Sequence, residues 1–193
     1  GGTGVVTVGA LLGMAAHLEG KAASVLDMTG LAQKNGAVMS HVRIADDADA
    51  LHAVAIATGG ARTVLGCDIV VASAQDVLAC VTEGVTQAVI NSDLTPTPSF
   101  VLDPSVEGAT APMVARLKVA LGEAATDFVA ATRLATLLLG EAIATNLFMV
   151  GYAYQRGLIP LGADALDRAI ELNGVAVEAN RRAFALGRLA AHD

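Results

Sequence analysis

A turn followed by a strand, within residues 29–43, constrains the fold of this chain more than any other feature. Gly30 and the Asn35-Gly36 pair accept positive φ angles, from which the Cβ atom bars most residues, so the backbone can reverse sharply here. Residues 37–44 then have the pattern of a strand. The pattern is equally typical of an ordinary β-hairpin or βα loop with solvated polar residues, and that alternative stays open.

The same stretch carries polar side chains that predict an anion-binding role. Gln33 and Lys34 are hydrogen-bond donors at the tip of the turn. His41 and Arg43 are two residues apart, so they share one face of the strand. The alternative for His41 is a strand histidine that is hydrogen-bonded to backbone.

The composition predicts an α/β protein. Hydrophobic residues make up 54% of the 193 residues and aromatic residues only 3%, so Ala, Val, Leu and Ile must build a closely packed core. Such a composition is typical of buried parallel strands covered by helices. We therefore predict a single domain over residues 1–193, a three-layer α/β/α sandwich with a mainly parallel sheet and a helical C-terminal half.

Charge, cysteine usage and missing motifs exclude several classes of function. The net charge is −7 and the basic residues are scattered, which argues against nucleic-acid binding. Cys67 and Cys80 lack metal-ligand spacing and no secretory signal is present, so reduced thiols in a cytoplasmic protein are expected. We find no nucleophile elbow, no paired metal-binding histidines and no phosphate loop, so the chain is predicted to hold no catalytic residue and no metal.

Hydrophobic periodicity places the remaining elements. It predicts strands over residues 22–28, 51–57, 67–72, 87–91 and 126–129. It predicts helices over residues 5–18, 74–81, 112–121 and 175–191, with breaks at 140, 157–160 and 173–174. Residues 134–154 are apolar and nearly long enough to cross a bilayer, but Glu141 within them favours a buried helix pair and no membrane span.

The chain opens with a glycine-rich turn, Gly1, Gly2, Thr3 and Gly4. Turns of this kind connect a buried strand to a helix N-terminus, so we expect a longer polypeptide whose first strand, apolar and β-branched, precedes Gly1. That strand would lie beside residues 22–28 or 67–72.

A dinucleotide-binding unit is an alternative for this region. A glycine-rich turn, a helix, a strand and then Asp27 follow the outline in which the carboxylate holds a ribose. The opening lacks the further glycine at the expected spacing, and Asp27 leads straight into the turn, so a structural role for Asp27 in capping the turn is favoured.

Several longer strings of residues resemble one enzyme family. They are the opening at 1–7, the stretch 29–43, residues 91–93 with 96–97, residues 131–135, 143–149 and 151–152, and the string 169–178. Together they resemble the gamma-type domain of the 2-oxoacid:ferredoxin oxidoreductases and, within them, the indolepyruvate:ferredoxin oxidoreductases. Asn35 stands where such domains often have a second glycine, and Asn also tolerates the left-handed region.

The resemblance implies an enzyme that oxidatively decarboxylates aryl pyruvates to aryl-acetyl-coenzyme A and passes electrons to ferredoxin. It implies thiamine diphosphate, Mg²⁺, iron-sulfur clusters and coenzyme A for the whole enzyme. None of the first three would be held by this domain alone. The chain would be inactive without its thiamine-binding and iron-sulfur partners, with which it would form an oligomer. A free-standing dinucleotide-binding or interaction module remains the alternative. The residues predicted to contact a cofactor or a neighbouring domain are Gly1, Gly2, Thr3, Gly4, Gln33, Lys34, Asn35, Gly36, His41 and Arg43.

Overall fold

A computed structural model describes residues 4–29, 36–94 and 110–192 of the chain. In chain order the elements are α1 (Val5–Leu18), β1 (Ala22–Thr29), β2 (Val38–Ala45), β3 (Thr63–Gly66), α2 (Ile69–Ala72), α3 (Gln75–Leu78), β4 (Gln87–Asn91), α4 (Thr110–Leu121), β5 (Thr126–Val129), α5 (Ala131–Leu139), α6 (Thr145–Gln155), α7 (Ala163–Asn173) and α8 (Val177–Ala190). Short 3₁₀ helices occupy Ala48–Ala50, Glu123–Ala125 and Ala142–Ala144. The predicted α/β class is confirmed, with a three-stranded parallel sheet and a helical C-terminal half.

The chain divides into two compact units. The first unit comprises Gly1–Ile56 and Ala135–Asp193, and the second unit comprises Ala57–Leu134. In the first unit β1 and β2 pair antiparallel as a hairpin, with Ala22 opposite Ala45 and Thr29 opposite Val38. Helix α1 packs on this hairpin and on α7, while α6 packs on α8.

Glycines set the closest approaches in the first unit. A Cβ atom at Gly9 would lie 3.1 Å from Val25, and one at Gly13 would lie 3.2 Å from the same side chain. A Cβ atom at Gly151 in α6 would lie 2.0 Å from the carbonyl oxygen of Phe184 in α8. Small residues therefore bring α1 onto the hairpin and bring the α6 and α8 backbones into contact.

The second unit is built on a parallel sheet with the strand order β3-β4-β5. Its core is aliphatic, as the low aromatic content requires. The buried residues are Ile69, Ala72, Ala88, Ile90, Leu117 and Leu121.

Two predicted strands are wrong. Residues 67–72 are not a strand: β3 ends at Gly66, and the Asp68 carboxylate accepts hydrogen bonds from the N–H groups of Val70 and Val71, which starts helix α2. Residues 51–57 form no strand, because side chains of β2 rather than a neighbouring strand hold this segment. A short apolar run fits a strand and a buried helix equally well, and only its cap and partners decide between them.

The other predicted elements are confirmed, with each end within three residues of its predicted position. The apolar stretch 134–154 is broken as expected, since α5 ends at Leu139, Gly140 has φ 78°, and α6 begins at Thr145. Within the described ranges, none of the helices combines the length and the apolar character that crossing a membrane requires.

Candidate functional site

Helix α1 and the hairpin bring Gly4 and the end of β1 toward one end of the first unit. Gly13 faces Val25, whereas Gly9, one turn closer to the start of α1, also approaches Asp27 and Ser40. Residues of α1 that are nearer its N-terminus therefore contact residues of the hairpin that are nearer Thr29 along β1. Gly4 and the end of β1 therefore lie at the same end of the unit.

Gly4 forms the start of α1 in a conformation that favours glycine. Its φ angle is 91°, and no side chain caps the helix at this point. A Cβ atom on Gly4 would lie 3.4 Å from Nδ2 of Asn146, a buried residue in the first turn of α6. The sequence interpretation did not single out Asn146, although a polar amide within an apolar helix was the available signal.

The predicted site residues divide into two groups. Gly4, Gly36, His41 and Arg43 are described, while Gly1, Gly2, Thr3, Gln33, Lys34 and Asn35 lie outside the described residues. The paired residues Thr29 and Val38 flank the segment of the sequence that contains Gln33, Lys34 and Asn35. Whether this end of the unit binds a ligand stays a prediction.

His41 and Arg43 both lie on β2 and both bind the segment that follows the strand. The N–H of Ile56 donates to Nδ1 of His41 at 2.9 Å, and Nη1 of Arg43 donates to the carbonyl oxygen of Ala53. His41 is buried, and this burial lowers the pKa of its imidazole. His41 therefore acts as an acceptor for backbone, the alternative that the sequence left open.

The turn that Asp27 is predicted to cap lies outside the described residues. Within the described residues, Oδ1 of Asp27 accepts a hydrogen bond from the hydroxyl of Ser40, its partner across the hairpin. The carboxylate that the dinucleotide alternative requires for a ribose is thus occupied by the neighbouring strand, which weakens that alternative.

The carboxyl ends of β3, β4 and β5 meet at one edge of the parallel sheet, and Asn91 is the last residue of β4. Asn91 is 1% exposed, and its Nδ2 donates to the carbonyl oxygen of Cys67 at 3.1 Å and to Oγ1 of Thr132 at 2.9 Å. Its Oδ1 accepts from the N–H groups of Ala131 at 3.1 Å and Asp93 at 3.2 Å. These hydrogen bonds join the strand ends to the start of α5. The side-chain amide of Asn91 therefore has a structural role.

Asp93 completes the cap of α5. Its Oδ2 accepts from the N–H of Arg133 at 2.7 Å. The first N–H groups of α5 consequently have partners within the chain, which leaves them unsuited to hold an anion.

The cysteines do not fit an iron-sulfur cluster. Burial, together with the charge of Asp68, raises the pKa of the Cys67 thiol to about 12, and the Cys80 thiol contacts the carbonyl oxygen of Asp76 at 3.4 Å. A cluster needs four thiolates. In the described ranges no group of three or more His, Cys, Asp or Glu side chains is placed to hold a metal ion.

Comparison with known proteins assigns the class. The chain belongs to the pyruvate ferredoxin/flavodoxin oxidoreductase family, whose model matches residues 1–190. This match confirms the resemblance to the 2-oxoacid:ferredoxin oxidoreductases.

Individual relatives cover almost the whole chain. The chain is 29% identical over 198 residues to indolepyruvate oxidoreductase subunit IorB of Pyrococcus horikoshii, covering 100% of this chain and 93% of the relative. The fold is similar to the keto/oxoacid ferredoxin oxidoreductase gamma subunit of Geobacter sulfurreducens, with a TM-score of 0.66, 20% identity and coverage of 99% and 93%. It is also similar to pyruvate oxidoreductase subunit PORC of Thermotoga maritima, with a TM-score of 0.64, 19% identity and coverage of 97% and 90%.

Proposed function

We propose that this chain is the gamma-type component of an indolepyruvate:ferredoxin oxidoreductase. The whole enzyme would convert an aryl pyruvate and coenzyme A into aryl-acetyl-coenzyme A and carbon dioxide, with two electrons passed to ferredoxin. The observation that carries the choice of substrate is the relative named for indolepyruvate, which matches the chain over its full length. The family match over residues 1–190 supports the wider class.

The proposal assigns the redox and thiamine chemistry to partner regions or subunits. Thiamine diphosphate would supply the electron sink for decarboxylation, and iron-sulfur clusters would carry the electrons. The residues of this chain do not fit a cluster, since a cluster needs four thiolates and the chain has two cysteines, Cys67 and Cys80. We therefore expect residues 1–193 to act as one gamma-type domain of a larger, cytoplasmic assembly and to be inactive alone.

The role proposed for the first unit is contact with the thiamine-bearing partner and with coenzyme A. Gln33 and Lys34 are donors suited to an anion, and coenzyme A is the polyanion that must arrive after decarboxylation. The start of α1 at Gly4 lies at the same end of the unit as Thr29 and Val38, which supports a shared ligand. A turn that only packs against the partner is the alternative, because glycines also permit close contact between domains.

The experiment is to assemble the chain with its thiamine-bearing partner and to compare Lys34→Ala with the parent complex. Loss of one charge-assisted contact, about 1.5–3 kcal/mol, raises the coenzyme A concentration needed for half-maximal turnover by about tenfold or more. Cluster reduction by indolepyruvate without coenzyme A should be unchanged. Lys118→Ala is the matched control, since that lysine lies on α4 in the second unit and pairs with Glu123.

The outcomes separate the parts of the proposal. An unchanged dependence on coenzyme A in Lys34→Ala, or failure of the complex to assemble, would leave the turn as a contact between domains. Turnover with pyruvate but not with indolepyruvate would instead contradict the substrate and keep the family.

A further inference from the structure

The segment of residues 46–56, here called the strap, is held on the hairpin by two side chains. It leaves the end of β2, passes through the 3₁₀ helix Ala48–Ala50, and returns along the strand. Its carbonyl at Ala53 accepts from Arg43, and its N–H at Ile56 donates to His41. Along the described strap there is no strand pairing, so side chains provide its attachment to β2.

The hydrogen bond at Ile56 requires a neutral imidazole. Nδ1 of His41 accepts the Ile56 N–H at 2.9 Å. An imidazolium carries hydrogen on both ring nitrogens and accepts no hydrogen bond. Protonation of His41 therefore places the N–H at Nδ1 against the N–H of Ile56, and both groups are donors. Arg43 cannot compensate, because its contact with the strap does not change with pH between 5 and 8.

The charged groups of the hairpin nearest His41 are a cation on its own face and a carboxylate on the opposite face. Arg43 shares its face of β2, and Asp27 lies on the other face, bound to Ser40. The strap itself contributes ionisable side chains, and the Asp47 carboxylate accepts the Asp49 N–H at the start of the 3₁₀ helix. The strap's ionisable residues are Asp46, Asp47, Asp49 and His52. Burial is the cause that lowers the pKa of His41.

A second observation indicates that only a small free energy favours the closed arrangement of the strap. The hydroxyl of Ser24 is buried and has no hydrogen-bond partner among the described residues. Ser24 pairs with Arg43 across the hairpin, so it lies on the same face as the residues that hold the strap. A buried hydroxyl without a partner disfavours the packed state relative to one in which water reaches it.

The strap also leads into one of the two points at which the chain passes from one unit to the other. The first unit's opening segment ends at Ile56, and the second unit begins at Ala57. The His41 contact therefore fixes the last residue before the chain passes from one unit to the other.

We propose that His41 and Arg43 are positioning residues that form a pH-sensitive latch, in which neutral His41 fastens the strap and protonation of His41 releases it. The latch is independent of the proposed substrate, since it needs only the geometry of the first unit. It also gives both side chains a role other than direct contact with a ligand.

The sign of the effect follows from the lowered pKa. With the strap open, His41 titrates near its ordinary value of 6.5, and with the strap closed it titrates lower. Closure is therefore fully favoured above pH 6.5 and is weakened as the pH falls toward the pKa of the closed form. Over that window the closing equilibrium changes by up to about tenfold per pH unit, the limit for one proton.

Amide hydrogen exchange of the full chain tests the latch directly, because the Ile56 amide is the latch donor. Its protection factor, corrected for intrinsic exchange, should be constant from pH 8 to 7 and fall by about threefold or more by pH 5.5. His41→Asn is the informative variant, since Oδ1 of asparagine stands where Nδ1 stood and does not titrate. His52→Asn is the matched control, because it removes the strap's own histidine.

The protection of Ile56 should be independent of pH in His41→Asn and should keep its full pH dependence in His52→Asn. A parent protein with flat protection, or a His41→Asn variant with the parent's pH dependence, would overturn the latch. Nitrogen-15 spectra of the parent provide a readout that does not depend on a variant. At pH 7.5 they should show Nδ1 of His41 without hydrogen and Nε2 with hydrogen, and the opposite tautomer would equally refute the proposal.

Discussion

Replacing Gly151 by alanine tests whether the crossing of α6 and α8 depends on direct backbone contact. The new Cβ atom would lie 2.0 Å from the carbonyl oxygen of Phe184, whereas ordinary contact begins at 3.4 Å. A backbone carbonyl within a helix cannot turn aside, so the two helices must separate by more than about 1 Å. The reciprocal position behaves in the same way, because a Cβ atom at Gly187 would lie 1.9 Å from the carbonyl oxygen of Phe148.

The magnitude follows from the side chains that line this crossing. Phe148 is fully buried, and Phe184 is 7% exposed. Each contributes about 1.5–3 kcal/mol through burial, and a gap of 0.5–1 Å forfeits roughly a quarter to a half of the dispersion attraction across it. Including the smaller neighbours, we expect a loss of about 3–4 kcal/mol in packing free energy. The better helix propensity of alanine offsets about 1 kcal/mol of this loss. The net loss in the free energy of unfolding is therefore about 2–3 kcal/mol.

Urea and thermal unfolding followed by far-ultraviolet circular dichroism measure this loss, which corresponds to about 5–10 °C in Tm for a chain of this size. Gly13→Ala is the matched control. It makes the same change inside helix α1, but the added Cβ atom lies 3.2 Å from a methyl group of Val25, which can move. The reasoning is refuted if Gly151→Ala and Gly13→Ala have equal stability.

Two further substitutions test features of the fold. Asn91→Leu removes the donors and the acceptor that join β4 to Cys67 and to α5, and it leaves buried backbone groups unpaired. It should lower the free energy of unfolding, measured by urea titration, by about 3 kcal/mol. A change below about 1 kcal/mol would show that the network is dispensable. Ala176→Gly should raise stability by about 0.5–1 kcal/mol, because Ala176 has φ 46° and glycine removes the Cβ clash of the left-handed region; a lower Tm would contradict that origin of strain.

Local signals in the sequence account for the elements that were predicted well. Helix α1 was placed correctly because its run of small and apolar residues ends shortly before Gly20, and β4 because its buried run precedes a proline-rich stretch of the sequence. The strand predicted over 67–72 was wrong although Asp68 gave a local warning, since Asp before an apolar run is a common helix cap.

The strap shows what local signals cannot supply. Residues 51–57 have a strand-like composition, yet the partner of Ile56 is a side chain 15 residues earlier, which no local pattern specifies. The same contact gives His41 the hydrogen bond to backbone that the sequence left open as one of its two roles. By contrast, the convergence of Gly4 and Thr29 at one end of the first unit follows from α1 packing antiparallel to β1, which a helix-turn-strand order suggests.

The discontinuity of the first unit has a consequence for synthesis of the protein. Helix α1 buries Leu11, Ala15 and Ala16 in a unit that includes α7, which begins only at Ala163. At a ribosomal rate of about 5–20 residues per second, roughly 5–20 s pass between completion of the strap and the appearance of that partner. The second unit is contiguous in sequence and can fold during this interval. Helix α1, which is apolar and contains no Asp, Glu, Lys or Arg, lacks its partner α7 for the same time. Chaperone binding during synthesis should therefore concentrate on the earliest part of the chain.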